Sequence, residues 1–208
     1  GSVGTVYRAW SSGGNTPVAL KILSSRYTQN DLILRMFDEE AKAGIQIDHP
    51  NIVQTLYVGK HAGRPYLVFE FVNGVPLADL IQQGPLPEGA CVWILRQMGQ
   101  ALRYLQKKNI VHQDIKPENI LIDANGNCKL TDLGFARLPA SEIDWSDLQA
   151  GTAWYMSPEQ WTAGEGGSPI DHRTDLYALG ATLYHALTGA PPFTAKYEDE
   201  LRHQHLEL

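Results

Sequence analysis

Cysteine is scarce: the 208 residues hold two, Cys91 and Cys128, far apart and without ligand spacing. That excludes a disulfide framework or a cysteine-rich metal knuckle and points to buried or half-buried thiols in a reducing compartment. Long apolar runs are missing too. The longest, Leu176 to Leu187, contains His185 and falls short of the roughly 20 residues that span a bilayer. No secretory leader is read at the start. Basic residues are outnumbered, 17 Lys and Arg against 23 Asp and Glu, for a formal net charge of −6. This disfavours nucleic acid as the main partner, although a cleft can be locally basic in an acidic protein. Internal repeats and low-complexity tracts are absent. With 43% hydrophobic and 19% charged residues, the chain has the make-up of a globular protein large enough for one or two cores. The expected place is the cytoplasm, with no membrane contact within the chain and an anchor outside it left open.

The richest stretch is Val111-His112-Gln113-Asp114-Ile115-Lys116-Pro117-Glu118-Asn119, followed by Thr131-Asp132-Leu133-Gly134. Between them lies a readable hairpin. Ile120-Leu121-Ile122 and Cys128-Lys129-Leu130 are short apolar runs, and Asn125-Gly126 is a strong turn signal. A hairpin brings the residue before its first strand beside the residue after its second. Asn119 and Asp132 are therefore expected to meet at the open end, with Asp114 and Lys116 on the loop leading in. Two oxygen ligands, a separate carboxylate and a cation suit Mg²⁺ and phosphate, because Mg²⁺ takes few protein ligands and shares substrate phosphates. A polar loop capping a hairpin accounts for any one of these residues and poorly for all four.

Residues 1–72 read as a small β-rich unit with one helix. Val3 to Trp10 and Val18 to Leu23 are predicted strands, joined by the turn signal Ser11-Ser12-Gly13-Gly14-Asn15. Lys21 shares one strand face with Ala19 and Leu23 and needs a partner or a way to water. In the predicted helix 31–47, Ile33, Met36, Gly44 and Ile47 recur at helical spacing, and Glu40 falls on the same face. A carboxylate on a buried stripe is costly unless paired. Lys21 is the candidate partner; a rim position beside Asp38 and Glu39 is the plainer reading of Glu40. Tyr66 to Val72 is a predicted strand running into Asn73-Gly74, a natural boundary. Beyond it, Pro87 to Lys108 is an amphipathic helix and Thr174 to Leu187 a nearly all-apolar one.

These motifs, in this order, resemble the eukaryotic-type (Hanks-type) protein kinase catalytic domain, from the first residue to about Phe193. The wording Asp-Ile-Lys-Pro-Glu-Asn and Gly-Thr-Ala-Trp-Tyr-Met-Ser-Pro-Glu is similar to serine/threonine kinases, in particular bacterial ones. The resemblance implies an α+β, bilobal fold: a β-rich N-lobe with one helix over residues 1–72 and a larger, mainly helical C-lobe over 73–208. Gly1-Ser2-Val3-Gly4-Thr5-Val6 matches the last six positions of the family's glycine loop, and the resemblance stops soon after Pro191-Pro192-Phe193. The chain is therefore expected to be a partial domain, without the first N-lobe strand and the last C-lobe helices.

The implied chemistry is transfer of the γ-phosphoryl group of Mg-ATP to a serine or threonine hydroxyl of a protein substrate. Gly1 and Gly4 would let backbone N–H groups approach phosphate. Val6, Ala19 and Leu121 resemble the apolar plates around adenine, Phe69 the residue at the back of that pocket, and the Glu70 carbonyl and Val72 N–H its edge contacts; ordinary core packing explains them equally. Lys21, oriented by Glu40, would contact the α and β phosphates. Asn119 and Asp132 would hold Mg²⁺, Asp114 would act as catalytic base, and Lys116 would neutralise charge on the transferred group. Thr152 matches a substrate-loop threonine, or is a turn residue after Gly151. Asp175 implies a buried carboxylate accepting N–H groups of the catalytic loop. Glu159 resembles a glutamate whose arginine partner would lie beyond Leu208, and breaking such a pair costs roughly 3–5 kcal/mol.

Two positions depart from the family pattern. Leu133 stands for the phenylalanine of Asp-Phe-Gly, an apolar exchange. Gln113 replaces the arginine that usually precedes the catalytic aspartate and pairs an activation-loop phosphate. The loop here, Phe135 to Ala150, carries Ser141 and Ser146 beside Glu142, Asp144 and Asp147, with Arg137 as its cation. A pseudokinase or scaffolding module that binds nucleotide without efficient transfer is the alternative, and a small-molecule kinase of the same fold a third. Lys21, Asp114 and Asp132 favour the active enzyme; the segment Gly151 to Glu159 favours a peptide substrate.

Overall fold

The computed structural model describes residues 4–11, 13–133, 153–163 and 165–208. Among these residues, seven strands and six α-helices follow one another in two groups. The first group holds β1 (Gly4–Trp10), β2 (Pro17–Leu23), α1 (Asp31–Ile45), β3 (Thr55–His61) and β4 (Arg64–Glu70). The second holds β5 (Gly74–Pro76), α2 (Leu77–Ile81), α3 (Glu88–Lys107), β6 (Ile120–Asp123), β7 (Cys128–Leu130), α4 (Pro158–Trp161), α5 (His172–Thr188) and α6 (Glu198–Glu207). This is the expected α+β arrangement of a sheet-based lobe and a mainly helical lobe.

In the first lobe β1, β2, β4 and β3 lie in that order, all antiparallel. Asn30 caps α1 by accepting the Ile33 N–H, as a short polar side chain does at a helix start. Phe37 and Ala41 of α1 pack on Leu23 and Leu67 of the sheet, which closes the small core. Gly44 sets how closely α1 lies on β3: a Cβ there would stand 2.0 Å from Thr55 Oγ1. The predicted strand Tyr66 to Val72 instead ends at Glu70, paired with Val18. The next partner position is Pro17, which has no N–H to offer the ladder, so Phe71 and Val72 belong to the connection between lobes.

The larger core lies between α3 and α5. Ile94, Met98, Ala101 and Leu105 of one helix meet Ala178, Leu179, Leu183 and Ala186 of the other, and Ile120 and Leu130 of the hairpin close it. Asp171 caps α5 by accepting the Arg173 N–H, and Gly189, at φ 81°, ends it in the left-handed conformation. Cys91 and Cys128 are free, buried thiols, each pushed upward in pKa by burial. Among the described residues no helix is long and apolar enough to cross a membrane.

The two sheets meet at one seam. Ile52 and Leu130 form a parallel bridge, with Val53 N–H donating to the Leu130 carbonyl at 2.8 Å and Leu130 N–H to the Asn51 carbonyl at 2.9 Å. The buried Asn51 amide donates to Gln97 Oε1 and to the Cys128 carbonyl, both at 2.9 Å. Glu70 adds an ion pair with Lys129 of β7 at 2.7 Å.

Candidate active site

The hairpin β6–β7 turns at Gly126, φ 78°, with Asp123 Oδ1 accepting the N–H groups of Asn125 and Asn127. Thr131 N–H donates to the Asn119 carbonyl at the open end, so the chain enters and leaves the hairpin side by side. That places Asp114, Lys116, Asn119 and Asp132 in one region below the first sheet. Asn119 turns its amide to Asp114, donating to the Asp114 carbonyl at 2.8 Å and to Oδ2 at 2.9 Å. Lys116 Nζ stands 2.9 Å from the same Oδ2. The other oxygen, Asp114 Oδ1, is buried and accepts no hydrogen bond among the described residues. Burial pushes the Asp114 carboxyl up to about 6, against the pull of Lys116.

Above it, Lys21 projects from β2 between two carboxylates. Its ammonium donates to Glu40 at 2.8 and 2.9 Å and to Asp132 Oδ1 at 3.1 Å. Both Lys21 and Glu40 are buried, so Glu40 occupies the inward face of α1 and not its rim. Burial acts to lower the Lys21 pKa, but the charges of Asp132 and Glu40 outweigh it and keep the ammonium charged. Burial likewise opposes the charge of Asp132, yet Lys21 holds that carboxyl below its ordinary range. Asp132 sits at φ 67°, a left-handed backbone that costs a non-glycine residue of order 1–3 kcal/mol.

The loop before Asp114 is held from three sides. Asp175, near the start of α5, accepts the N–H groups of His112 and Gln113 at 2.9 Å each. Burial pushes its carboxyl up to about 7, partly offset by those two N–H groups. His112 is wholly buried; Nε2 lies 3.1 Å from the Thr131 carbonyl, and Nδ1 accepts the Asp114 N–H at 3.3 Å. A carbonyl only accepts, which fixes the neutral tautomer with its proton on Nε2. Gln113 itself stands at φ 67°. Leu133 is buried in the main core, where an apolar side chain of its size packs without any polar partner.

The residues read as an adenine site lie on β1, β2, β4, β6 and the connection between the lobes. Val6 on β1 is 60% exposed and lies opposite Lys21 in register. Ala19 lies opposite Phe69, and Leu121 sits on β6; all three are half-buried, as is Val72. The Glu70 carboxylate is engaged, accepting the Gln54 N–H and pairing Lys129. Gly4 is buried, and a Cβ there would stand 2.6 Å from the Ile22 carbonyl oxygen. Glu159 accepts from Thr174 Oγ1. Gly1, Gly134, Thr152 and the loop Phe135 to Ala150 lie outside the described residues.

Three features went unread in the sequence. One is the His112 ring. The second is Gln160, which closes a capping box with Ser157; Ser-Pro-Glu-Gln carries that signature openly. The third is a half-open cavity of about 600 Å³ beside the catalytic loop, lined by Ile81, Pro117, Glu118, Trp154, Tyr155 and His185 among others. Its lining comes from four separate segments, so no local pattern announces it.

Comparison with known sequences agrees with this geometry. A family model described as "Protein kinase domain" matches residues 1–208. Serine/threonine-protein kinase PknL of Mycobacterium tuberculosis (strain ATCC 25618 / H37Rv) is 37% identical over 209 residues, covering 100% of this chain and 51% of that protein. Serine/threonine-protein kinase PrkC of Bacillus subtilis (strain 168) is 36% identical over 209 residues, covering 100% of this chain and 32% of that protein. Probable serine/threonine-protein kinase CPE1738 of Clostridium perfringens (strain 13 / Type A) is 39% identical over 195 residues, or 93% of this chain and 28% of that protein. The chain thus spans about half or less of the length of these curated relatives.

Proposed function

Because the chain belongs to the protein kinase domain family, we propose that it is the catalytic domain of a serine/threonine kinase that transfers the γ-phosphoryl group of ATP to a protein. The observation that carries this reading is Asp114 Oδ1: a buried carboxylate oxygen with no donor among the described residues, beside an oxygen that has two. Leaving an acceptor unpaired in a native interior is costly. A substrate hydroxyl donating to Oδ1 would satisfy it and be oriented for attack, with Asp114 accepting its proton.

The remaining residues divide the work of positioning and charge neutralisation. Lys21, held by Glu40, presents its ammonium to the ATP phosphates. Lys116 offers a second positive charge beside the transferred group. Asp132 and Asn119 supply a carboxylate and an amide oxygen, hard donors of the type Mg²⁺ takes; Mg²⁺ held there would neutralise phosphate charge during transfer. Gly4 and Val6, with Ala19, Phe69, Glu70, Val72 and Leu121, are assigned to the nucleotide base and its phosphates; Gly1 is assigned with them from the motif alone. Asp175 and Glu159 serve the scaffold. The cavity lined by Pro117 and Glu118, which follow Asp114 closely in the chain, has room for a substrate side chain.

The test is radiolabelled ATP transfer by the full-length protein and by its Asp114→Asn variant. Label should appear on serine or threonine with the wild type and fall by roughly 10²–10⁴-fold in the variant. Equal labelling would leave the nucleotide-binding scaffold as the reading, and label dominated by phosphotyrosine would refute the substrate class resting on Lys116 and Thr152.

A further inference from the structure

Gln160 on α4 is 2% exposed, and its side-chain amide is used from both ends. Oε1 accepts the Ser157 backbone N–H at 3.1 Å and the Ser157 hydroxyl at 3.2 Å. Nε2 donates to the Gln113 carbonyl at 2.9 Å. The first contact is a local capping box, whereas the second reaches 47 positions along the chain to the catalytic loop. Ser157 directly follows the segment Ala153 to Met156, whose Trp154 and Tyr155 line the cavity beside the catalytic loop. Gln113 directly precedes Asp114.

The Gln113 carbonyl and the Asp114 N–H belong to one planar peptide unit. Gln160 holds that plane by its oxygen, and His112 Nδ1 holds it by its hydrogen. The plane's orientation sets the direction in which the Asp114 side chain leaves the backbone. It follows a residue at φ 67°, whose N–H is itself tied to Asp175. A strained backbone of this kind keeps its shape only where its surroundings over-determine it. Gln160 is the one of these holders that also belongs to the substrate side of the site.

We propose that Gln160 is a positioning residue for the phosphoryl transfer inferred above: it aims Asp114 through the Gln113 carbonyl and links that aim to the seating of segment 153–156. Gln160 touches neither nucleotide nor acceptor. Its loss should therefore act on turnover while substrate affinities stand.

Two variants of the full-length protein separate the contacts. Gln160→Glu keeps the acceptor for Ser157 and exchanges the donor for an oxygen facing the Gln113 carbonyl. Gln160→Met removes both contacts and adds no charge. In each, kcat should fall by about tenfold or more, the KM values for ATP and peptide should stay within about twofold, and the rate loss should exceed what any fall in thermal midpoint accounts for, since one charge-free hydrogen bond of roughly 1.4 kcal/mol at the transition state is a factor of ten. A further readout is specific to the donor. Burial raises a carboxyl pKa, and a protonated carboxyl can donate again. The rate of Gln160→Glu relative to wild type should therefore climb as pH falls from about 8 to about 6, while the ratio for Gln160→Met stays flat. If Gln160→Glu is recovered unfolded, Gln160→Met carries the kinetic test alone. Hydrogen exchange at the Asp114 amide, read without any substrate, should quicken in Gln160→Met and remain unchanged around Lys21. Turnover within twofold of wild type, or a rate loss that merely tracks a falling thermal midpoint, overturns the proposal. A wild type that transfers no phosphate overturns the kinase reading and the positioning role with it, and the exchange result then reports only whether the clamp exists.

Discussion

Lys21 and Asp132 stand 111 positions apart in the chain, and their charged ends meet at 3.1 Å. With Glu40 on the other side of the ammonium, one cation ties strand β2, helix α1 and the loop leaving β7. The lysine is therefore a structural keystone as well as the proposed phosphate contact, and the two roles have separate signatures.

Lys21→Met should lower phosphoryl transfer by at least about 100-fold, the size seen when a charge-stabilising donor is removed. It should also leave Glu40 buried without its cation, a loss of roughly 3–5 kcal/mol for a broken buried pair. Transfer assays and chemical denaturation check the two effects independently. Wild-type turnover in the variant would sink the assignment of Lys21.

Asp114 must be ionised to take a proton, and its carboxyl is pushed up to about 6 by burial. The rate with saturating ATP should fall as pH drops below about 6, roughly tenfold per unit where a single deprotonated base limits, and level off above it. A profile flat down to pH 5 would remove Asp114 from the role of base.

His112 is held neutral, its pKa lowered to about 4 by burial. Since the unfolded imidazole titrates near about 6.5, the unfolded chain binds the extra proton first as the solution is acidified. His112 thus contributes stability that is full above about pH 6.5 and is lost as pH falls through that value toward 4. Nitrogen NMR should find the His112 ring neutral, with its proton on Nε2, at pH 6. A doubly protonated ring at that pH would contradict the hydrogen bonds described.

Gly44→Ala should destabilise the small lobe by about 1–3 kcal/mol, the range for overpacking, because the added carbon would meet Thr55 Oγ1. Adding Thr55→Ala should recover part of the loss and not all, since Thr55 Cβ would remain 2.9 Å away. Denaturation midpoints of the single and double variants decide this; a neutral Gly44→Ala would show that α1 shifts freely over β3.

Ser141→Ala with Ser146→Ala should leave turnover within about threefold, a difference under 1 kcal/mol. Gln113 offers an activation-loop phosphate no charge, and the loop already carries Glu142, Asp144 and Asp147. A hundredfold loss restored by phosphomimetic residues would show that another cation serves where the arginine is missing.

The sequence announced the site more clearly than the frame around it, for physical reasons. Charged residues that must meet are unlike their neighbours, and Lys21, Glu40, Asp114 and Asp132 each stood out from an apolar or turn-forming context. Strand β3 did not. Leu56 and Tyr57 are exposed, Gly59 lies under the Tyr66 ring, and the register shifts between Thr55 and Tyr57, so no two-residue alternation survives. Strand β5 is three residues long and begins at the Asn73-Gly74 turn signal, and a glycine in that place reads as an end. Helix α6 buries only Leu201 and His205 among its charges, too little for a periodic stripe. Asp175 was legible as a buried carboxylate only through the family likeness, because its partners are backbone N–H groups some sixty positions away.

The bridge between Ile52 and Leu130 has a mechanical consequence. With the Glu70–Lys129 and Lys21–Asp132 pairs close by, any rocking between the two sheets would pivot at this seam. Leu130 is two residues from Asp132, so that carboxylate lies next to such a pivot and would travel least. Strand β1, at the far edge of the four-stranded sheet, would sweep the widest arc. The outer strands of the sheet would then shift while the seam beneath them stays in register.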